Sequence, residues 1–553
     1  MSIRGIGVSP GSVYGPAVVV TTALITPPGE RSDDPAAVES AVAEALESVA
    51  ADMEARAARA EEHAKPVLEA TAMMARDPGL VFAVGSFAAD GHGPVDALYL
   101  AVEQYCALLA GLDAYMAERQ TDLRDVFQRA AARLLGRPAP GVPEFDEPSI
   151  IVALDLAPAD TATLNPERVL GIVTEAGGVT SHTAILAAQL GIPAVVRATG
   201  VLSASPETLG LDGATGEVVV NPDAGVAAVL GARNEHRLAL QAVAQGPGAT
   251  RDGHRVQILA NIGTADDAQR AAKADVEGSG LFRTEFLFLE RTSAPTVEEQ
   301  TATYTAVFEA FAGRKVVVRT LDAGADKPLA FADLGAEDNP ALGVRGLRLQ
   351  RERDDLLTDQ LTALARAREA TGAEVWVMAP MVATAEEAAW FAARCRDAGL
   401  PTAGTMVEVP AAAIRSGHLL AACDFASIGT NDLSQYLFAA DRMNGALAHL
   451  LSGWQPALWE LIVATVRGAE GKPVGICGEV GGDPLLALVA AGAGVSSLSM
   501  AVGKVGSVKV SLARHDLDTC RAMLDAVLAS TGPEQARAAV VDLLDAEVAE
   551  LLA

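Results

Sequence analysis

The chain has 553 residues, half of them hydrophobic, with 71 acidic against 42 basic side chains and a formal net charge of −29. That length implies about three or four domains, and the acidity argues against nucleic acid or an anionic membrane as a partner. Five cysteines, scattered at 106, 395, 423, 477 and 520, are the usage of a reducing compartment and not of a disulfide framework.

The opening stretch MSIRGIGVSPGSVYG has no apolar leader, so a cytoplasmic location is expected. Residues 1–20 read as short strands around a Pro-Gly turn at 10–11. From about 33 to 137 the chain is rich in Ala, Glu and Arg with a helical period, which predicts a helical bundle. GRPAPGVPEFDEPS ends it, and strands return in SIIVAL, VLGIVTE, PAVVRA and GEVVVNP. The expected plan is one α/β domain formed by 1–32 and 138–222, with the bundle 33–137 inserted into it. A linker helix follows at 223–250.

From 251 to 553 strands alternate with helical segments. Eight candidates are VQILANIG, GSGLFRTEF, VVVRTLDAG, VRGLRL, VWVMAPM, AGTMVEVP, FASIGTND and PVGICGE. Their number over roughly 300 residues predicts a (β/α)8 barrel. The apolar run 485–503 is broken by Gly and Ser and reads as helix plus strand, with no membrane insertion.

Barrel enzymes carry their chemistry at the C-terminal strand ends. Those ends hold Asn261, Arg283, Arg319, Arg345, Glu408, Asn431, Asp432 and Cys477. Three arginines on one rim suit a multiply charged anion, because each offers a planar fork of donors to phosphate or carboxylate. Glu408 and Asp432, one strand apart, could hold a hard cation such as Mg²⁺. Solvated loop charges or plain salt bridges are the competing account.

His182 lies in GGVTSHTAIL, where a loop runs into a helical pattern. It has no His or Cys at helical spacing to share a metal and no nucleophile elbow beside it. As acceptor of a phosphoryl group it fits better. Gly177 and Gly178 permit close approach, the helix N-terminus favours an anion, and Thr180, Ser181 and Thr183 offer hydroxyls. The residues alone leave this reading and a structural histidine both open.

GGVTSHTAILAAQLGIPAVV resembles the phosphohistidine segment of phosphoenolpyruvate (PEP)-utilising enzymes. GLFRTEFLF, VVVRTLDAGADKP, NPALGVRGLRL, GTMVEVPAAA, DFASIGTNDLSQYLFAADR and GICGE resemble their PEP-binding barrel. The opening IRGIGVSPGSVYGPA and the inserted bundle are similar to the branch that phosphorylates a small carrier protein, HPr. The resemblance implies a swivelling phosphohistidine α/β domain with an inserted HPr-binding bundle, followed by a TIM barrel that dimerises. It implies transfer of the phosphoryl group of PEP to His182 and then to HPr, with release of pyruvate, as the first step of sugar uptake. Arg283, Arg319, Arg345, Arg442 and Asn431 would bind PEP, Glu408 and Asp432 would hold Mg²⁺, and Cys477 would protonate enolpyruvate. The chain departs from the pattern at Thr71, where a histidine is often found, at DLAPADTA (155–162) and at AVGKVGSVKV (501–510). Two alternatives are a PEP synthase or pyruvate phosphate dikinase-like enzyme, which would need an ATP-binding domain, and a non-catalytic phosphohistidine scaffold.

Overall fold

The computed structural model describes residues 1–548 apart from 10, 21–24, 58–64, 111–113, 138–141, 144, 146, 157–163, 165–167, 179–182, 185, 186, 188–190, 214, 244, 289, 290, 292, 325–328, 330, 333, 334, 336, 443 and 547. It divides into two compact units, Met1–Glu235 and a second that begins at His236.

Among its described residues the first unit contains eight strands: β1 Ser2–Arg4, β2 Ile6–Ser9, β3 Ser12–Val19, β4 Ser149–Ala153, β5 Val169–Thr174, β6 Ala194–Val196, β7 Thr208–Asp212 and β8 Glu217–Val220. They form one sheet in the order β1-β8-β7-β3-β4-β5-β6-β2. Its middle strands β3 to β6 are parallel and the flanking pairs antiparallel. Strand period explains why both faces are buried. Ile150 and Val152 of β4 enter one core, and Ile151 and Ala153 enter the other. TLGLD, which forms β7, was not among the expected strands.

Between β3 and β4 the chain forms helices Pro35–Ala57, Lys65–Ala75, Pro78–Ala89, Pro94–Ala110 and Ala114–Leu134. These close on a core of their own, including Val42, Leu46, Val49, Met53, Leu98, Val102 and Val126. Thr71 is buried in it. The helix Ala224–Val243 follows β8 in the chain.

The second unit is a closed barrel of eight parallel strands: β9 Gln257–Ile262, β10 Gly278–Arg283, β11 Lys315–Arg319, β12 Val375–Ala379, β13 Ala403–Val407, β14 Phe425–Ile428, β15 Val474–Ile476 and β16 Ser497–Met500. Closure comes from β16 pairing with β9, Ser497 opposite Gln257. Leu281, Val317, Met378, Met406, Phe425 and Cys477 fill part of its interior. Three of its helices start with full capping boxes, at Thr264–Asp267, Thr296–Glu299 and Thr384–Glu387. Each cap satisfies otherwise orphaned N–H groups and is worth about 1 kcal/mol.

The number of barrel strands agrees with expectation, but one member differs. VRGLRL is no strand. Gly346 takes φ +60°, the left-handed region glycine tolerates, and Leu347–Glu352 is helical with Leu347, Leu349 and Gln350 buried. Arg345 therefore stands in a loop, bridged to Gly324, and not at a strand end. The eighth strand is the short SLSM of 497–500. Residues 501–510 supply the loop after it and the start of the helix Val505–Arg514.

Candidate active site at the barrel mouth

Arg283 and Arg319 are the last residues of β10 and β11. Glu408 follows β13 directly, and Cys477 follows β15. Asn431 and Asp432 lie in the first turn of the helix Thr430–Phe438, just past β14. Parallel pairing of β13 with β14 thus brings the two acidic residues to neighbouring ends. Gly429 makes the approach possible, because a Cβ there would stand 2.8 Å from Glu408 Oε2.

The arginines are held by carboxylates that the sequence reading did not single out. Asp322, fully buried, accepts from Arg345 Nε at 3.0 Å and Nη2 at 2.9 Å, and pairs with Arg319 at 3.3 Å. Arg319 also pairs closely with Glu285. The other edge of Arg345 grips Asp432, with Nη1 to Oδ1 at 3.0 Å and Nη2 to Oδ2 at 3.2 Å, while Arg442 lies 3.6 Å from Asp432. Tyr436 accepts from Arg345 at 3.4 Å. Glu285 and Asp322 sit inside the quoted segments GLFRTEF and VVVRTLDAG. Their position beside the rim arginines was the available signal.

Arg283 differs from its neighbours. Among the described residues it makes no side-chain hydrogen bond or ion pair, and its side chain is reached by solvent. Nearby protein nonetheless displaces part of its water. That loss of surrounding water, and then Arg319, lower its pKa from the ordinary arginine value. Burial alone would do the same to Arg345, but Asp322 and Asp432 outweigh it and hold that guanidinium above its ordinary value.

Glu408 is completely buried. Its Oε1 accepts from the Met381 N–H at 2.6 Å, and its Oε2 is enclosed without a hydrogen-bond partner. Burial, then Asp432 and Asp322, push the carboxyl up to about 8, against the pull of Arg319 and Arg345. Among the described residues no group of three or more His, Cys, Asp or Glu forms a ready cage for a metal. A cation would therefore rest on two carboxylates and a ligand from outside. The orphaned Glu408 oxygen fits a hard, oxygen-seeking ion such as Mg²⁺.

Cys477 is buried, and its thiol donates to the Ile428 carbonyl at 3.6 Å. Burial raises its pKa and keeps it protonated. Its own carbonyl accepts from Asn261, whose Oδ1 accepts from Ser499 at 2.6 Å. Asn431 accepts from the Glu479 N–H at 3.3 Å.

His182 lies outside the described residues, as do Thr180 and Ser181. On either side of it, Gly177 has φ +85° and its carbonyl accepts from Arg197 Nε at 3.0 Å. Thr183 is buried and donates to Asp155 at 3.2 Å. Its hydroxyl was expected for a phosphoryl group and is committed elsewhere.

The chain matches three family descriptions. Residues 238–517 match the PEP-binding domain of PEP-utilising enzymes, 145–216 their mobile domain, and 4–119 their N-terminal region. It is 49% identical to a phosphoenolpyruvate-protein phosphotransferase of Streptomyces coelicolor, over 99% of this chain and 100% of that one. It is 37% identical to one of Haloferax volcanii, over 98% and 99%. The solution structure of Enzyme I (nEIt) is 33% identical and covers 42% of this chain and 98% of its own, with a TM-score of 0.38.

Proposed function

Because the chain belongs to the family of PEP-utilising enzymes, we propose that it moves the phosphoryl group of PEP to its own His182 and then to a histidine of the carrier protein HPr, releasing pyruvate as the first step of sugar uptake. The carrying observation is that the C-terminal strand ends of the barrel hold both an unpaired guanidinium, Arg283, and a buried carboxylate, Glu408, that has one oxygen unpartnered. Such a mouth lacks an anion and a cation together, which is what a phosphorylated substrate with its metal supplies. Full-length relatives carrying the phosphotransferase name favour this reading over a dikinase.

In this reading Arg283, Arg319, Arg345 and Arg442 bind the phosphate and carboxylate of PEP, and Asn431 donates its amide to the phosphate. Glu408 and Asp432 hold Mg²⁺, which supplies charge neutralisation on the transferring group. The neutral His182 imidazole attacks phosphorus. The P–O bond to the enol oxygen breaks as the N–P bond forms. Cys477 gives its proton to the methylene carbon of the enolate, which yields pyruvate, and the thiolate is reprotonated from water. A thiol kept neutral by burial suits that role.

We further take the active form to be a cytoplasmic homodimer joined through the barrel. The acidic composition and scattered cysteines support that location. No helix among the described residues is long and apolar enough to cross a membrane.

The test is incubation with phosphoryl-labelled PEP, Mg²⁺ and HPr. Label on the protein that is stable to base, labile to acid and chased to HPr supports the reading. Label that appears only with ATP points to the dikinase.

A further inference from the structure

The two acidic residues assigned to the cation are in unlike states. Glu408 has an enclosed oxygen with no partner. At Asp432 a guanidinium already stands on both oxygens, since Arg345 bonds each of them and Arg442 lies 3.6 Å away. A carboxylate gripped by a guanidinium fork is not an open metal ligand. Yet the same guanidinium is gripped on its other edge by Asp322, through Nε and Nη2. Asp322 is fully buried and takes Arg319 as well. Arg345 can therefore lose one edge and keep its place by the other.

Charge points the same way. Five carboxylates, Glu285, Asp322, Glu408, Asp432 and Glu479, stand among the four guanidiniums of Arg283, Arg319, Arg345 and Arg442. The resting cluster is close to neutral when all are ionised. A divalent cation added to it leaves an excess of positive charge, which the anionic groups of a phosphorylated carboxylate would balance.

We infer that Arg345 is the resting counter-charge of Asp432, anchored by Asp322, and that a divalent cation takes its place and turns the free edge of Arg345 over to the substrate's anion. The exchange couples cation and anion binding through one side chain. It rests on the reading of Glu408 and Asp432 as cation ligands.

The probe is Mn²⁺ alone, titrated into the full chain without any phosphate compound and followed by the paramagnetic resonance of the free ion. Arg345→Lys keeps the charge but cannot grip Asp322 and Asp432 at once. It should bind Mn²⁺ about tenfold more tightly than the wild type. Arg283→Lys, at a residue that does not touch Asp432, should stay within about twofold. Equal affinities for wild type and folded Arg345→Lys, or equal tightening by Arg283→Lys, overturn the inference. A wild-type crystal soaked in Mn²⁺ decides the matter even where Arg345→Lys fails to fold. The metal should touch Glu408 and Asp432, with Arg345 still on Asp322 and off Asp432. Metal there with Arg345 still bonded to both Asp432 oxygens sinks this inference alone. No metal at either carboxylate sinks the assignment of the ligands as well.

Discussion

Glu408 and Asp432 leave the neighbouring strands β13 and β14 so close together that the second carboxylate helps push the first up to about 8. The pair costs stability when no cation is bound. Glu408→Gln keeps an acceptor for the Met381 N–H and removes the charge that burial penalises. The metal-free variant should be more stable than the wild type by on the order of 1–3 kcal/mol at pH 8. The sign with pH follows from a raised acid. The folded state keeps a proton that the unfolded state loses above the ordinary carboxylate value of 4.5, so wild-type stability falls as pH rises from there toward about 8. The gap between variant and wild type should widen over that range in denaturant melts run with a chelator. Pyruvate release from PEP should meanwhile drop by several hundredfold or more. A variant less stable than wild type at pH 8 would contradict the burial argument.

His182→Ala should lose both self-labelling from PEP and transfer to HPr, with unchanged far-ultraviolet circular dichroism. The barrel residues are all present in that variant, so PEP binding measured by calorimetry should survive within about threefold. Labelling at the wild-type rate would show that another residue accepts the phosphoryl group.

Much of this site is legible in the sequence because strand ends advertise themselves. Arg283 and Arg319 close largely apolar strands and Glu408 directly follows one, so a polar residue there reads as rim. Arg345 was assigned to a strand because VRGLRL alternates. The left-handed Gly346 and the buried face of Leu347 and Leu349 belong to a turn and a helix, which six residues of alternating pattern cannot distinguish from a strand. The run 485–503 reads as helix plus strand and is so, as Pro484–Gly492 and Ser497–Met500, but its strand SLSM was not counted in the barrel. Serines hold two of its four positions, and Ser499 is buried because Asn261 accepts its hydroxyl proton. Asp322 and Glu285 lie within three residues of the rim arginines Arg319 and Arg283, but which other guanidinium each meets is set by pairing across strands, which local spacing does not show.

Cys477 is buried against Leu281, Val317, Met378, Met406 and Phe425, and burial holds its thiol protonated. All five cysteines are buried. The native chain should therefore react with a disulfide reagent at pH 8 only as fast as it opens, and with five thiols once unfolded. Cys477→Ser fills nearly the same space, so it should fold. Pyruvate formation should slow by about 10²-fold or more while PEP affinity changes little. An unchanged rate would leave Cys477 as packing alone.

The final prediction concerns where the chain is free to bend. Lys509, buried in the helix after β16, donates to the Gly246 carbonyl at 2.7 Å and to Asp275 Oδ2 at 2.7 Å. The same Asp275 oxygen accepts from the Gly246 N–H at 2.7 Å, and Glu277 accepts from the Gly248 N–H at 3.0 Å. From Gly246 onward the linker is thus part of the barrel. Any reorientation of the histidine-bearing unit has to be taken up before that glycine. Lys509→Met leaves the Gly246 carbonyl and the half-exposed Asp275 without their cation and should cost about 1–3 kcal/mol. The unit upstream has its own cores, one in the helical insert and one on each face of its sheet. A fragment ending at residue 245 should therefore fold and exchange phosphate with phosphorylated HPr, yet stay inert to PEP. The complementary barrel should bind PEP and Mg²⁺ without transferring anything. If the fragment took label directly from PEP, catalysis would not be divided between the units, and the clamp at Lys509 would have no part in the cycle.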